Sequence, residues 1–315
     1  MPTVLAPQDL KARLACGLLG FPLTDFDVDG NFAAQPFGER VRDLSDQGCA
    51  ALFIAGGAGE FFSLTREEYG AVLETAVAAR RDNLPLLGAA GGGTRDAMAH
   101  AQMAERAGAD GILLLPPYLT EVSQEGLCAH VTDVCRSTGL GVILYSRANG
   151  RIAPATLMRL VEDCPNLIAL KDGIGAFEDL WTMRTALDGR IAFLNGMPTA
   201  EVYAPAYSAM GVPTYSSAVY NFAPRAAMAF FNAVQRRDAA KIDSMMRAFF
   251  VPYGRLRNRQ PGYAVSIVKA GVALVGHPAG GVRPPLSNLT AAEQSELAVL
   301  IEALNSAAEE HDAVV

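Results

Sequence analysis

The sequence predicts an α/β fold, a (β/α)8 TIM barrel with a C-terminal helical appendix, and three observations carry that prediction. Eight short apolar runs recur along the chain, each followed by a stretch long enough for a helix and its loops. The runs are continuously apolar rather than alternating, as expected of parallel strands covered on both faces. Helix start and stop signals lie between them. A chain of 315 residues could also form two domains or a doubly wound sheet, but parallel barrels of about 250 residues fold as one unit.

In order, the runs are Leu14 to Phe21, Ala51 to Ala55, Pro85 to Ala90, Gly111 to Leu115, Gly141 to Tyr145, Leu167 to Lys171, Ile191 to Asn195 and Val212 to Ser216. Thr65-Arg-Glu-Glu68 is a capping box, in which hydroxyl and carboxylate each satisfy a backbone N–H at the helix start. Thr94, Ser123 and Pro154 mark further starts; Gly108 and Gly139 mark stops. The eighth unit closes near Arg236, which makes 1–236 the barrel. Residues 237–315 hold no further strand and read as helices over Ala239 to Phe250, Tyr263 to Val275 and a segment capped by Thr290 and Glu293, packed on the barrel.

Composition excludes several classes. Half the residues are hydrophobic and 19% are charged, unlike disordered chains. A net charge of −7, with no cluster of basic residues, predicts no nucleic-acid or anionic-membrane partner. The first ten residues lack the basic and apolar regions of a leader, and no apolar run reaches membrane-spanning length, so a cytoplasmic protein is expected. The five cysteines, Cys16, Cys49, Cys128, Cys135 and Cys164, form no CxxC pair and read as buried thiols.

In a barrel, chemistry gathers where the strands end. Lys171 ends an otherwise apolar strand, where burial would lower its pKa and make it a Schiff-base nucleophile. A lysine paired with Asp172 or reaching solvent is the alternative. Tyr145 ends the preceding strand and could face Lys171 as a general acid/base, or simply pack. The turn Gly57-Ala58-Gly59-Glu60 offers unobstructed backbone N–H groups to a carboxylate or phosphate. It is not a dinucleotide fingerprint, and Gly91-Gly92-Gly93 is not a phosphate loop. His100, His130, His277 and His311 show no metal-binding spacing, and there is no GxSxG serine nucleophile.

With Gly56-Gly57-Ala58-Gly59-Glu60 after the second strand, Tyr145 ending the fifth and Lys171 ending the sixth, the chain resembles the dihydrodipicolinate synthase and N-acetylneuraminate lyase superfamily from about Leu18 onward. Within it, Gly59 to Thr65, Tyr145 to Asn149, Phe193 to Glu201 and Thr214 to Ala218 are similar to the family of 5-dehydro-4-deoxyglucarate dehydratases. The synthases carry two threonines where this chain has Gly57-Ala58, a tyrosine at Leu119 and an arginine at Gly150. The dehydratases usually carry Thr at Ala58 and Asn at Ser146, so here backbone N–H groups would hold the carboxylate alone.

The resemblance implies a sugar-acid substrate that is a six-carbon 2-keto diacid. Lys171 would form the imine, Tyr145 would move protons, and loss of water and CO2 would release 2,5-dioxopentanoate with neither cofactor nor metal. It further implies that Gly57, Ala58 and Gly59 hold the near carboxylate. Asn195 and Ser216 or Ser217 would bind the hydroxyls or the far carboxylate, and Phe61 or Phe62 would form an apolar wall or else pack in the core under the loop. A homo-dimer or homo-tetramer is expected. A retro-aldolase releasing pyruvate, or a non-catalytic keto-acid-binding barrel, are the alternatives.

Overall fold

Eight parallel strands are paired in sequence order in the computed structural model, which describes residues 4–81 and 84–309. They are β1 Leu19–Gly20, β2 Ala51–Ile54, β3 Leu86–Gly92, β4 Gly111–Pro117, β5 Gly141–Ser146, β6 Leu167–Asp172, β7 Ala192–Asn195 and β8 Ser216–Ser217. β1 pairs with both β2 and β8, and a parallel bridge between Asn195 and Tyr215 joins β7 to the approach of β8, closing the barrel.

Several expectations are corrected. Leu14 does not begin a strand; it ends the helix Pro7–Leu14, whose Leu10 reaches Gly111 and Gly141 at the starts of β4 and β5 and plugs the barrel floor. A side chain on either glycine would collide with Leu10 or a neighbouring strand. The run Val212 to Ser216 contributes only its end to β8. Thr94 is not a cap: Gly93 holds that position, and the Thr94 hydroxyl is hydrogen-bonded to His130 Nδ1. Cys16 is exposed in the turn after the first helix, whereas the other four thiols are buried. His311 lies outside the described residues.

The capping boxes at Thr65 and Thr290 form as expected, and Gly108 ends its helix with φ +88°. The helix after Ala239 does not stop at Phe250. It widens into a π turn at Met246–Phe250 and resumes as Val251–Arg257, with Pro252, which has no N–H to donate, in its first turn. That continuation carries Tyr253 and Arg257 toward the barrel mouth. Helices Ala239–Met245 and Ala291–Glu309 pack on Pro224–Arg236. Two buried apolar clusters result. One fills the barrel interior, and the other runs between strands and helices and includes Leu256, Ile267 and Leu297 of the C-terminal helices. A buried ion pair, Glu60 to Lys269 at 2.9 Å, ties the loop after β2 to helix Tyr263–Leu274.

Candidate active site

Parallel pairing of β5 with β6 sets Tyr145 directly beside Lys171. Alternation along each strand directs both inward and sends Asp172 to the opposite face. There the Asp172 carboxylate accepts hydrogen bonds from the Ile174 N–H and the Tyr207 hydroxyl, so it does not pair with Lys171. Lys171 is 5% exposed, and its Nζ lies 4.1 Å from the Phe21 ring centre and 4.6 Å from that of Tyr145. Phe21 is itself fixed by stacking on Phe53 at 4.6 Å. Burial, reinforced by the nearby Arg147 cation, lowers the Lys171 pKa to about 7.

The Tyr145 hydroxyl donates to the Gly196 carbonyl at 2.9 Å and accepts from Arg147 Nη1 at 3.0 Å. Gly196 is required where it stands: a Cβ there would lie 2.6 Å from Lys171 Cγ. These groups line one face of a cavity of about 230 Å3 at the C-terminal ends of the strands, a volume suited to a small metabolite. Its other walls include Gly57, Ala58, Ser216 and Ser217.

Three expected binding residues stand elsewhere. Gly59 lies beneath the turn, its carbonyl accepting from the Thr24 hydroxyl and its Cα hydrogens packed on Ala55. Asn195 is 1% exposed and spends its amide on the following loop, donating to the Ala200 carbonyl and accepting from the Met197 N–H. Phe61 packs edge-on against Tyr69 and His100 in the wall of a separate, larger cleft toward Tyr118 and Leu119, and Phe62 is 56% exposed. The Phe61 side chain therefore supplies no wall to the lysine cavity. Ser146 accepts from the Ile152 N–H and closes its own loop.

Four cavity residues escaped the sequence reading of roles: Arg147, Glu201, Tyr253 and Arg257. Arg147 follows Tyr145 by two, the spacing that keeps one face of an extended segment. Glu201 is buried, with its carboxylate on the Ser217 hydroxyl, and burial raises its pKa to about 7. Tyr253 and Arg257 share a helix face at i, i+4, but their helix was not expected. No group of three or more His, Cys, Asp or Glu is placed to hold a metal ion among the described residues, and no described helix is long and apolar enough to cross a membrane.

The chain matches the Dihydrodipicolinate synthetase family over residues 15–304. It is 56% identical over 300 residues to the Leptothrix cholodnii protein named "Probable 5-dehydro-4-deoxyglucarate dehydratase", covering 95% of this chain and 99% of that one. The Pseudomonas putida 5-dehydro-4-deoxyglucarate dehydratase is 52% identical over the same shares of both chains. Dihydrodipicolinate synthase from Oceanobacillus iheyensis shares the fold with TM-score 0.86 at 21% identity, over 95% of this chain and 99% of that one. The E. coli prophage protein YagE, solved in complex with pyruvate, aligns with TM-score 0.82 at 27% identity over 92% and 98%.

Proposed function

The chain belongs to the dihydrodipicolinate synthetase family and, within it, to the 5-dehydro-4-deoxyglucarate dehydratases, and we propose that its cavity dehydrates and decarboxylates 5-dehydro-4-deoxy-D-glucarate to 2,5-dioxopentanoate, CO2 and water. The observation that carries this reading is Lys171: an amine held between two aromatic rings, paired with no carboxylate among the described residues and with a pKa lowered to about 7. A neutral amine adds to a ketone; an ammonium does not.

Lys171 condenses with the ketone, and Tyr145 gives its proton to the water that leaves. Arg147 donates to the resulting phenolate oxygen, as it does to the phenol. The protonated imine draws electrons from the adjacent CH2, whose proton passes to Tyr145. The β-hydroxyl departs as water, and the new double bond is conjugated with the iminium. That conjugation reaches the carbon bearing the far carboxylate, so CO2 leaves with its electron pair delocalised to nitrogen. Tyr145 returns its proton to carbon, the enol becomes an aldehyde, and hydrolysis frees Lys171.

The near carboxylate rests on the Gly57 and Ala58 N–H groups. The turn supports this because it closes through its carbonyls, Glu60 N–H to Gly57 O and Phe61 N–H to Gly56 O. Arg257, a half-buried cation in the wall, takes the far carboxylate, and Ser216 faces the hydroxyl carbons. The scheme consumes neither metal nor cofactor. Assembly as a homo-dimer or homo-tetramer in the cytoplasm belongs to the same reading, supported by exposed Phe62, Tyr118 and Leu119 beside the second cleft.

Product analysis with chelator-treated protein and 5-dehydro-4-deoxyglucarate tests the reaction. CO2 together with 2,5-dioxopentanoate is the expected result. Pyruvate with a three-carbon aldehyde acid would assign a retro-aldolase instead.

A further inference from the structure

The reaction proposed above turns a dianion into a monoanion, CO2 and water, so each turnover takes up one proton from solvent. In that scheme Tyr145 recovers every proton it gives. The proton that accompanies the departing hydroxyl needs a different source, and the cavity holds one more carboxyl group. Glu201 sits in the short 3-10 turn Ala200–Val202 after β7, 2% exposed, and the loop that bears it is pinned by both polar atoms of the Asn195 amide. The Ser217 hydroxyl, which ends β8 and lines the same cavity, donates to the Glu201 carboxylate, and protonation of Glu201 allows this bond to reverse. The Tyr220 N–H also donates to Ser217 Oγ, at 3.2 Å.

We propose, resting on the dehydratase reading, that Glu201 is the acid of the dehydration step and delivers its proton through the Ser217 hydroxyl to the substrate oxygen that departs as water. A hydroxyl has two acceptor lone pairs and one hydrogen. With Glu201 protonated, Ser217 Oγ accepts from both the Glu201 carboxyl and the Tyr220 N–H, which leaves its own hydrogen for the substrate. The C–O bond breaks with its electron pair on oxygen, Ser217 passes its hydrogen to that oxygen, and Glu201 replaces it. Glu201 is left as a carboxylate and is reprotonated from solvent, which is the one net proton of the overall reaction. Asn195 and Ser217 then act as positioning and relay residues rather than as contacts to the far carboxylate.

Burial favours the neutral Glu201 carboxyl, while the hydrogen bonds from Ser217 and from the backbone favour the carboxylate. The Tyr215 and Tyr253 hydroxyls, buried and without a hydrogen-bond partner among the described residues, feel the charge of Glu201, and the Arg257 cation lies beyond Tyr253. Burial is the main influence on Glu201 and places its pKa near 7, where an acid can both give and regain a proton.

Glu201→Gln keeps size and neutrality but has no proton to transfer. With this variant and 5-dehydro-4-deoxyglucarate, borohydride reduction is expected to trap on Lys171 an adduct of the undehydrated substrate, while CO2 release falls about 100-fold or more. Ser217→Ala gives the same split, and Glu201→Asp restores part of the rate. The wild-type kcat falls as pH rises through about 7, and this limb is lost in Glu201→Gln. Wild-type CO2 release by Glu201→Gln overturns the proposal, as does a folded Glu201→Gln protein that forms no adduct, since Glu201 would then serve binding or structure. A wild-type protein that forms the adduct yet releases no CO2 overturns the dehydratase reading itself, a result distinct from either.

Discussion

Lys171 Nζ lies 4.6 Å from the centre of the Tyr145 ring, and the two residues are register partners on adjacent parallel strands. The pairing is set by main-chain hydrogen bonds, so the distance between the amine and the phenol is fixed by the barrel rather than by a loop. Burial of the amine, with the Arg147 cation beside it, lowers its pKa to about 7, so a neutral amine is present near neutral pH.

Borohydride trapping of a 2-keto acid should therefore depend on pH with a midpoint near 7. The sign follows from the lowered pKa: above it Lys171 is neutral and adds to the ketone, and below it the reactive fraction drops about tenfold per pH unit. Mass spectrometry of the reduced protein from pH 5 to 9 reads this directly. A midpoint near 10 would mean an unperturbed lysine. Lys171→Ala should abolish the adduct and lower turnover on the order of 10^4-fold or more.

Arg147→Met should move that midpoint upward. The guanidinium is the second cause of the lowered Lys171 pKa, so removing its charge makes protonation of Lys171 easier. It also removes a donor from the Tyr145 hydroxyl, so kcat should fall at every pH, by about 10-fold or more on losing one charge-assisted hydrogen bond of 1.5–3 kcal/mol. A trapping profile unchanged from wild type would exclude the electrostatic coupling.

Arg257→Ala should raise KM for the diacid about 10-fold or more, the effect of losing one charge-assisted hydrogen bond of about 1.5–3 kcal/mol from a half-buried cation. Adduct formation with pyruvate, which has no second carboxylate, should be unchanged. Equal losses for both ligands would place Arg257 outside far-carboxylate recognition.

Gly196→Ala should disable the lysine more than it disturbs the fold. The added methyl would stand 2.6 Å from Lys171 Cγ and 3.0 Å from the Asp172 carbonyl, which forces the side chain off its position. Overpacking of this kind costs about 1–3 kcal/mol of stability. Urea denaturation should show that modest loss, while trapping falls far more; intact trapping would mean that the lysine has another way to reach the ketone.

Glu60→Gln should cost about 3–5 kcal/mol in the same denaturation assay, because Lys269 is left as a buried cation without its anion. Replacing Glu60 and Lys269 together by Met should cost less than the single change, since no charge is then stranded.

The strand ends were legible in the sequence because a parallel barrel writes its strands as apolar runs and its chemistry as the polar residue that stops them. Lys171 and Tyr145 were placed at the cavity in that way, and the same logic placed the Gly57-Ala58 turn and the two serines of β8 in its walls. Asn195 was misread for the same reason: it too stops a run, but position at a strand end does not say which neighbours a side chain will meet. Its amide is consumed by the Met197 N–H and the Ala200 carbonyl of its own loop. Of the two readings of Phe61, packing under the loop is the one the structure shows: the 3-10 turn Phe61–Ser63 after the left-handed Glu60 carries its ring to Tyr69 and His100.

By itself the sequence determined the periodic units, the caps, the inward lysine and tyrosine, and the kinship to keto-acid lyases, all properties of residues near one another along the chain or of a motif in order. Tertiary structure alone decided which charges enter the cavity. Glu201 reaches Ser217 from 16 residues away, and Arg257 arrives from a helix prolonged by a π turn beyond the barrel. Neither placement has a local signal, because burial and electrostatic environment depend on what packs against a side chain. The pKa values near 7 at Lys171 and Glu201 exist only once the barrel has closed around them.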